Sequence, residues 1–329
     1  MKKQLVAFIL SIVLMLGLVT GCGQEKKAET KPEPVKKAIR IGYQTGSSLT
    51  ILAKAKGLFE EEFGKDGTTV NYTLFLAGPP MVEALAGSRL DIANLGPLPA
   101  ISSRAGGIDV KAVARSYSDD FYYGLLVRPD SAIRSVKDLK GKKVGVQVGS
   151  GAHLFFLLLL EQNGLKPSDV NVVNMVTSDQ QTALVSGNID AVATWQPFVA
   201  TIELSKAGKV LVDSKNVIRT VGVYLARNEF GQKDPELVAR FLKVHQKAAE
   251  YLKSNPNEAI ALIAKESKIP EAALAKSLKT IEWQLAFTDD DVKVLTQSKD
   301  FLKNNNIIKK DFDINELLDR RYLGSSGAK

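Results

Sequence analysis

Short apolar runs alternate with stretches whose apolar residues recur at helical spacing along most of the chain. Most of the short runs end in turns rich in glycine, serine or proline. The runs predict strands, and the longer stretches predict helices. Strands that alternate with helices predict an α/β fold with mainly parallel sheets flanked by helices. After residue 226 the pattern is almost wholly helical, with helices predicted to begin at Pro235, Pro256 and Pro270.

Two segments occur twice, about 100 residues apart. Residues 41–48 (IGYQTGSS) correspond to residues 144–151 (VGVQVGSG), and residues 87–97 correspond to residues 187–197. A period of this length exceeds the ~20–50 residues of solenoid repeats. We therefore predict two lobes of similar plan, each opening with a strand, a turn and a helix, that face one ligand.

The helical C-terminal part has no counterpart in the second unit and is assigned to the first lobe. Lobe 1 is predicted to contain residues 39–121 and 222–329, and lobe 2 to contain residues 122–221. The chain then crosses between the lobes twice. Two crossings form a hinge, which permits closure around a ligand.

The first 38 residues belong to neither lobe. Leu5–Val19 is an apolar run too short to span a bilayer, so residues 1–21 are predicted to be a signal peptide. Cys22, the single cysteine, follows small residues in a setting that resembles the lipobox of bacterial lipoproteins. Residues 22–38 are then a lipid anchor and flexible tether that hold the protein on the extracytoplasmic face of the cell membrane. The alternative is an ordinary signal peptide with a chance cysteine.

Composition narrows the function classes. The net charge is +8, but basic residues are spread without a dense stripe interleaved with aromatics, so no nucleic-acid partner is predicted. One cysteine and two histidines without an acidic cluster predict no metal site, and we expect no cofactor. His245 lies between Lys243 and Lys247 and is expected to be exposed.

The predicted site lies on four turns that connect strands to helices. Ligands of open parallel sheets bind at the carboxyl ends of strands, and helix N-termini there offer unpaired N–H groups and partial positive charge. These turns predict an anion site, although any single turn can be a simple helix cap. The candidate ligand-binding residues on the turns are Gln44, Ser47, Ser48, Gly78, Asn94, Gly96, Pro97, Gly149 and Ser150.

Four further residues are candidates near these turns. His153 can donate to a bound anion from the first helical turn, or it is a surface or packing residue. Trp195 can form an apolar wall for a carbon tail, or it belongs to the core, and Gln196 can hydrogen-bond the ligand. Tyr224 lies near a predicted crossing, as do Tyr122 and Tyr123.

Several motifs together resemble the aliphatic-sulfonate, taurine and nitrate substrate-binding proteins of ABC importers. The resemblance rests on IGYQ at residues 41–44, AGP at 77–79, Gly149-Ser150 with His153, and WQPF at 195–198. It implies the two-lobed type II periplasmic-binding-protein fold and delivery of a ligand to a membrane permease. Many of these relatives have a carboxylate where this chain has Gln196, and that difference disfavours the ammonium group of taurine.

The resulting hypothesis is a monomeric, lipid-anchored, non-enzymatic receptor for a small organic anion, foremost an aliphatic sulfonate. Nitrate, taurine and thiamine- or riboflavin-type precursors remain alternative ligands. A precursor-synthase enzyme on the same fold and a sensory lipoprotein are alternative functions. Precursor synthases with this fold depend on a cysteine-rich motif, and the chain has no cysteine after Cys22.

Overall fold

The computed structural model describes residues 37–46 and 48–323. The predicted signal peptide, Cys22, the tether up to residue 36, and Ser47 lie outside the described residues. Within the described ranges, helices are either too short or too polar to cross a membrane.

The described strands form two five-stranded sheets. They are β1 (Ala38–Gln44), β2 (Thr69–Phe75), β3 (Ile92–Leu95), β4 (Val110–Asp119), β5 (Tyr123–Val127), β6 (Lys143–Val146), β7 (Asn171–Asn174), β8 (Ala191–Trp195), β9 (Lys209–Asp213) and β10 (Thr220–Arg227). The described α-helices are α1 (Ser48–Ala55), α2 (Leu58–Phe63), α3 (Gly78–Ala86), α4 (Pro97–Ala105), α5 (Gly151–Gln162), α6 (Thr177–Val185), α7 (Phe198–Leu204), α8 (Asn228–Lys233), α9 (Pro235–Ser254), α10 (Pro256–Ser267), α11 (Glu271–Leu278) and α12 (Asp289–Asn304).

The two sheets share one topology. Sheet 1, in lobe 1, has the order β2-β1-β3-β10-β4, and sheet 2, in lobe 2, has the order β7-β6-β8-β5-β9. In each sheet four strands run in one direction and the fourth in the order runs against its neighbours. The antiparallel strand is β10 in sheet 1 and β5 in sheet 2. Each of them directly follows a crossing between the lobes: the chain passes from β4 in sheet 1 to β5 in sheet 2, and it returns from β9 to β10. The two-lobed α/β architecture is confirmed.

The strands that carry the site are buried on both faces. All residues of β3, β5 and β8 are buried, as expected for a sheet covered by helices on both sides. Edge strands β2 and β7 are largely exposed. The central strands therefore fix the positions of the turns at their carboxyl ends.

One predicted helix is broken. The apolar spacing over residues 49–63 predicts a continuous helix, but the structure has α1 and α2 with Gly57 between them at φ 67°. Glycine takes this left-handed conformation without the penalty that a Cβ brings. The break lets α2 turn and pack its phenylalanines against α9.

The C-terminal helices cover lobe 1 and also touch lobe 2. Helices α9 and α10 pack on α1, and α12 packs on α4. A buried ion pair between Arg115 of β4 and Asp291 of α12, at 3.1 Å, joins the last long helix to sheet 1. Helix α11 packs against α7 of lobe 2, so this region bridges the two lobes.

The expectation that His245 is exposed is wrong. The residue is 0% exposed, and its Nε2 lies 2.9 Å from the Thr50 hydroxyl of α1. Its spacing from Phe241, Ala248 and Leu252 places it on the apolar stripe of α9 despite its lysine neighbours. The polar ring is tolerated in the core because both nitrogens have hydrogen-bond partners.

Candidate functional site

Turns from both lobes meet around a small cavity of about 30 Å³. They lie where strands end and helices begin, as the topology of open sheets predicts. The wall of the cavity is formed by Gln44, Gly46, Gly78, Asn94, Gly96, Pro99, Tyr117, Tyr122, Tyr123, Ser150, Gly151 and Trp195. Six of these are among the predicted ligand-binding residues: Gln44, Gly78, Asn94, Gly96, Ser150 and Trp195.

The lobes are in contact around this cavity. A Cβ built on Gly149, which has φ +81°, would lie 3.0 Å from Pro79 of the other lobe. A Cβ built on Gly96 would lie 3.7 Å from Gly151 across the cleft. On the rim, Lys276 of α11 and Glu203 of α7 form an ion pair at 2.5 Å. The described residues therefore show the closed arrangement of the two lobes.

The N-terminus of α5 supplies donors from lobe 2. Ser150 is the N-cap, and its hydroxyl oxygen accepts from the His153 N–H at 3.2 Å. The hydroxyl hydrogen of Ser150 can therefore donate to a ligand. The N–H groups of Gly151 and Ala152, at the first two helical positions, have no carbonyl to pair with inside the helix.

Helices α3 and α4 also begin at the cavity, from lobe 1, but they offer fewer N–H donors. Pro79 and Pro80 occupy the first turn of α3, and Pro97 and Pro99 occupy that of α4. Proline has no N–H to donate, although the helix dipole remains. The lobe-1 side thus contributes partial positive charge with few main-chain donors.

A group of tyrosines forms the wall nearest the hinge. Tyr117 and Tyr122 stack with ring centroids 4.5 Å apart, and Tyr123 stacks on Phe155 at 5.8 Å. The Tyr123 hydroxyl lies 2.7 Å from the Thr220 hydroxyl. Burial raises the pKa of all three phenols, so they stay neutral at physiological pH.

Asn94 lies next to a group of buried polar side chains behind the cavity wall. The Phe241 carbonyl, 2.9 Å from His245 Nδ1, can only accept, so Nδ1 carries the proton and Nε2 accepts from Thr50. Tyr224 interacts with both Thr50 and Asn94. Tyr224 thus links Asn94, at the cavity wall, to Thr50 and His245 in the core.

The other predicted residues lie around the cavity and not in its wall. Ser48 and Gln196 line an adjoining void, and Gln196 Oε1 accepts from the Ala200 N–H at 3.3 Å. Tyr224 lies behind Asn94, and Pro97 is buried at the start of α4. Gly149 lies at the lobe contact described above.

His153 faces the backbone of its own turn. Its Nδ1 accepts from the Gly149 N–H at 3.3 Å, and burial lowers the pKa of the imidazole, which favours the neutral ring. Its role as a ligand donor stays a prediction.

Sequence reasoning missed four residues of the wall: Gly46, Pro99, Tyr117 and Gly151. Gly46 and Gly151 lie inside the duplicated turns, so the duplication could have identified them as candidate site residues. Tyr117 and Pro99 reach the cavity through the packing of β4 and α4, which no local pattern shows.

The electrostatics of the cavity come from neutral groups. None of the described residues that line it carries a charged side chain. The polar groups of the wall residues are phenol and serine hydroxyls, the amides of Gln44 and Asn94, and helix N-termini. Such a wall suits an anion that is held by dipoles and hydrogen bonds and not by an ion pair.

Comparison with known proteins identifies the family. The NMT1/THI5-like family profile matches residues 44–259, which is more than half of the chain. The chain belongs to the NMT1/THI5-like family. It is also 32% identical over 325 residues to a Bacillus subtilis (strain 168) protein named as an aliphatic sulfonates-binding protein. That alignment covers 98% of this chain and 96% of the relative. The resemblance to sulfonate-binding proteins noted from the motifs is confirmed.

Solved structures agree. The periplasmic aliphatic sulphonate binding protein of Escherichia coli superposes on this member of the family with a TM-score of 0.74 and 30% identity. That match covers 85% of this chain and 97% of the other. The alkanesulfonate-binding protein of Xanthomonas axonopodis pv. citri, bound to MOPS, gives a TM-score of 0.78 at 25% identity, covering 86% and 98%.

Proposed function

We propose that this chain is the substrate-binding component of an ABC importer and binds an aliphatic sulfonate between its lobes. The observation that carries the proposal is the neutral, donor-lined cavity at the junction of the two lobes. The relatives named for aliphatic sulfonate binding support it.

A sulfonate matches the donors of this cavity. It is anionic at any physiological pH and offers three acceptor oxygens, each able to take charge-assisted hydrogen bonds. Ser150, the first N–H groups of α5 and the Asn94 amide supply such donors from both lobes. The protein of X. axonopodis, solved with MOPS, binds a molecule that carries a sulfonate group.

Gln196 bears on the choice of ligand. Its side-chain oxygen accepts from the start of α7 and does not supply a negative charge to the cleft. Taurine carries an ammonium group that would need such a counter-charge. We therefore favour sulfonates with an uncharged organic part over taurine, with nitrate as the smaller alternative.

The rest of the proposal concerns location and delivery. Lipid on Cys22 would hold a monomeric protein on the extracytoplasmic face of the membrane, close to its permease. Lobe 1 (residues 39–121 and 222–329) and lobe 2 (122–221) would open and close about the two crossings. Closure on the ligand gives the permease a form of the receptor that differs from the empty one.

A hydrolytic function is disfavoured by the geometry around Ser150. A serine nucleophile needs a base that accepts its hydroxyl proton. His153 Nδ1 instead accepts a hydrogen bond from the Gly149 N–H, and Ser150 Oγ accepts one from the main-chain N–H of His153. The pair thus acts as a helix cap.

Calorimetric titration of the mature chain with ethanesulfonate, taurine and nitrate tests the proposal. We expect ethanesulfonate to bind with 1:1 stoichiometry and more tightly than taurine. Ser150→Ala should weaken binding about tenfold to a hundredfold, since a hydrogen bond to a charged group contributes ~1.5–3 kcal/mol. Ser178→Ala, on the exposed start of α6, is the matched control and should bind as the wild type does. Failure of every sulfonate to bind would overturn the proposal.

A further inference from the structure

Three neighbouring voids lie between the cavity and the surface of the C-terminal helices. The cavity itself has about 30 Å³, and a narrow void of about 10 Å³ adjoins it. We call this narrow void the neck. The neck shares Gly46, Tyr117 and Tyr122 with the cavity wall, so the two voids are neighbours.

The neck also borders a large groove. It shares Leu278, Ile281 and Trp283 with a half-open groove of about 680 Å³ among α9, α10, α11 and the segment after α11. A volume of this size falls within the range of small-molecule sites. A ligand tail that left the small polar cavity would thus pass the aromatic and serine-lined neck to reach a space large enough for an organic group.

The chemistry changes along the route. Ser48, Gln196 and Ser277 line the neck together with Tyr117 and Tyr122, so it is amphipathic. The groove is mainly apolar. Its larger apolar residues include Leu252, Ile260, Leu278, Ile281, Trp283 and Leu285.

The groove also has a charged rim. Lys253 and Lys279 supply cations there, and Glu250 supplies one carboxylate.

We propose that the groove holds the organic part of the ligand, so that the protein selects sulfonates with a long or bulky apolar group over two-carbon sulfonates. This inference rests on the proposed function, because the anionic group must lie in the cavity for its tail to enter the neck. The occupant of the groove is then the ligand itself and not a second molecule. Trp283 is then expected to determine specificity, since it lines both the neck and the groove.

The expected gain follows from burial. Each methylene moved from water into an apolar groove strengthens binding about fourfold. Octanesulfonate has six more methylenes than ethanesulfonate, and some of them only span the neck. We therefore expect octanesulfonate to bind at least tenfold more tightly than ethanesulfonate.

The test compares these two ligands on the wild type and three variants by calorimetric titration of the mature chain. Ala275→Trp places a large side chain in the groove from an exposed position of α11, and Trp283→Ala removes the shared wall. Ser178→Trp is the matched control, because Ser178 lies at an exposed helix position that lines a different void between the lobes. Thermal melting of each variant checks that it is folded.

We expect Ala275→Trp to lose the preference for octanesulfonate while ethanesulfonate binds within about threefold of the wild type, and we expect Trp283→Ala to lose the preference as well. Equal affinity of the wild type for both ligands would overturn the inference and leave the proposed function standing. A preference that survives in both groove variants, or that Ser178→Trp abolishes, would also overturn it, since the tail then lies elsewhere. Absence of binding by either sulfonate would instead contradict the proposed function.

Discussion

Gly151 is the position where one added methyl group should damage the site most directly. It begins α5 at the cavity wall, and a Cβ built on it would lie 2.2 Å from the Tyr123 hydroxyl oxygen and 3.0 Å from the carbon that bears it. Contacts under 3.0 Å are not tolerated, so Gly151→Ala requires either the tyrosine or the start of α5 to move.

Tyr123 cannot move away at low cost. Its side chain is 2% exposed, its ring stacks on Phe155, and its hydroxyl is bonded to Thr220 at 2.7 Å. Overpacking of a buried site costs about 1–3 kcal/mol, and loss of the hydroxyl bond adds about 1 kcal/mol. The lower entropy of alanine in the unfolded chain offsets about 0.4–1 kcal/mol of this. We expect the free energy of unfolding of Gly151→Ala to fall by about 1–3 kcal/mol.

Binding should fall as well, because Gly151 and Tyr123 both form the cavity wall. We expect at least a tenfold loss of ethanesulfonate affinity by calorimetry, with the stability change followed by scanning calorimetry. Gly96→Ala is the matched control for stability, since its added Cβ meets its nearest neighbours at an ordinary 3.7 Å. Tyr123→Phe combined with Gly151→Ala removes the atom at 2.2 Å and should restore part of the stability. Wild-type stability and affinity in Gly151→Ala would refute this reasoning.

Three further predictions concern the anchor, the rim and the core. Cys22→Ser should abolish incorporation of labelled lipid and release the protein from membranes, and unchanged retention would contradict the anchor. Glu203→Gln removes the ion pair with Lys276 at the rim; because the pair is exposed, ligand affinity should change by less than about fivefold and less still at high salt. Burial lowers the pKa of His245 to about 4, whereas the unfolded value is about 6.5, so the unfolded chain takes up the proton first. The stability that this neutral histidine contributes above pH 6.5 should be lost as the pH falls to 4, by up to about 3 kcal/mol; melting curves should show a shallower decline in His245→Gln, and equal declines would contradict the assignment.

The sequence predicted those features that depend on local chemistry. Strand ends, Gly/Ser turns and helix starts are encoded within a few residues, so the duplicated turns located Gln44, Gly96 and Ser150 at the cavity wall. The break at Gly57 was equally local, but the apolar spacing on both sides of the glycine hid it. A single glycine in a periodic stretch is compatible with a continuous helix and with a helix that ends at the glycine.

Features that depend on packing between distant segments were not accessible. His245 has lysines on either side, and only the contact of α9 with Thr50 on α1 makes its burial favourable. Tyr117 reaches the cavity because β4 pairs with β10 and ends at the hinge. Trp283 lies in an irregular segment after α11, and its place at the neck depends on how that helix bridges the lobes.

The neutrality of the cavity bears on which anions it can accept. A ligand must give up its hydration shell on entering, and this cost rises steeply with charge. Neutral hydroxyls, amides and helix dipoles can compensate for one diffuse negative charge, but they supply no full positive charge to balance a second one. The uncompensated cost of desolvation is therefore smaller for a monoanion whose charge is spread over three oxygens than for a dianion such as hydrogen phosphate. Since the phenols of Tyr117, Tyr122 and Tyr123 have raised pKa values, the wall keeps its neutral donors as the pH rises, and this selectivity persists wherever the sulfonate itself stays ionised.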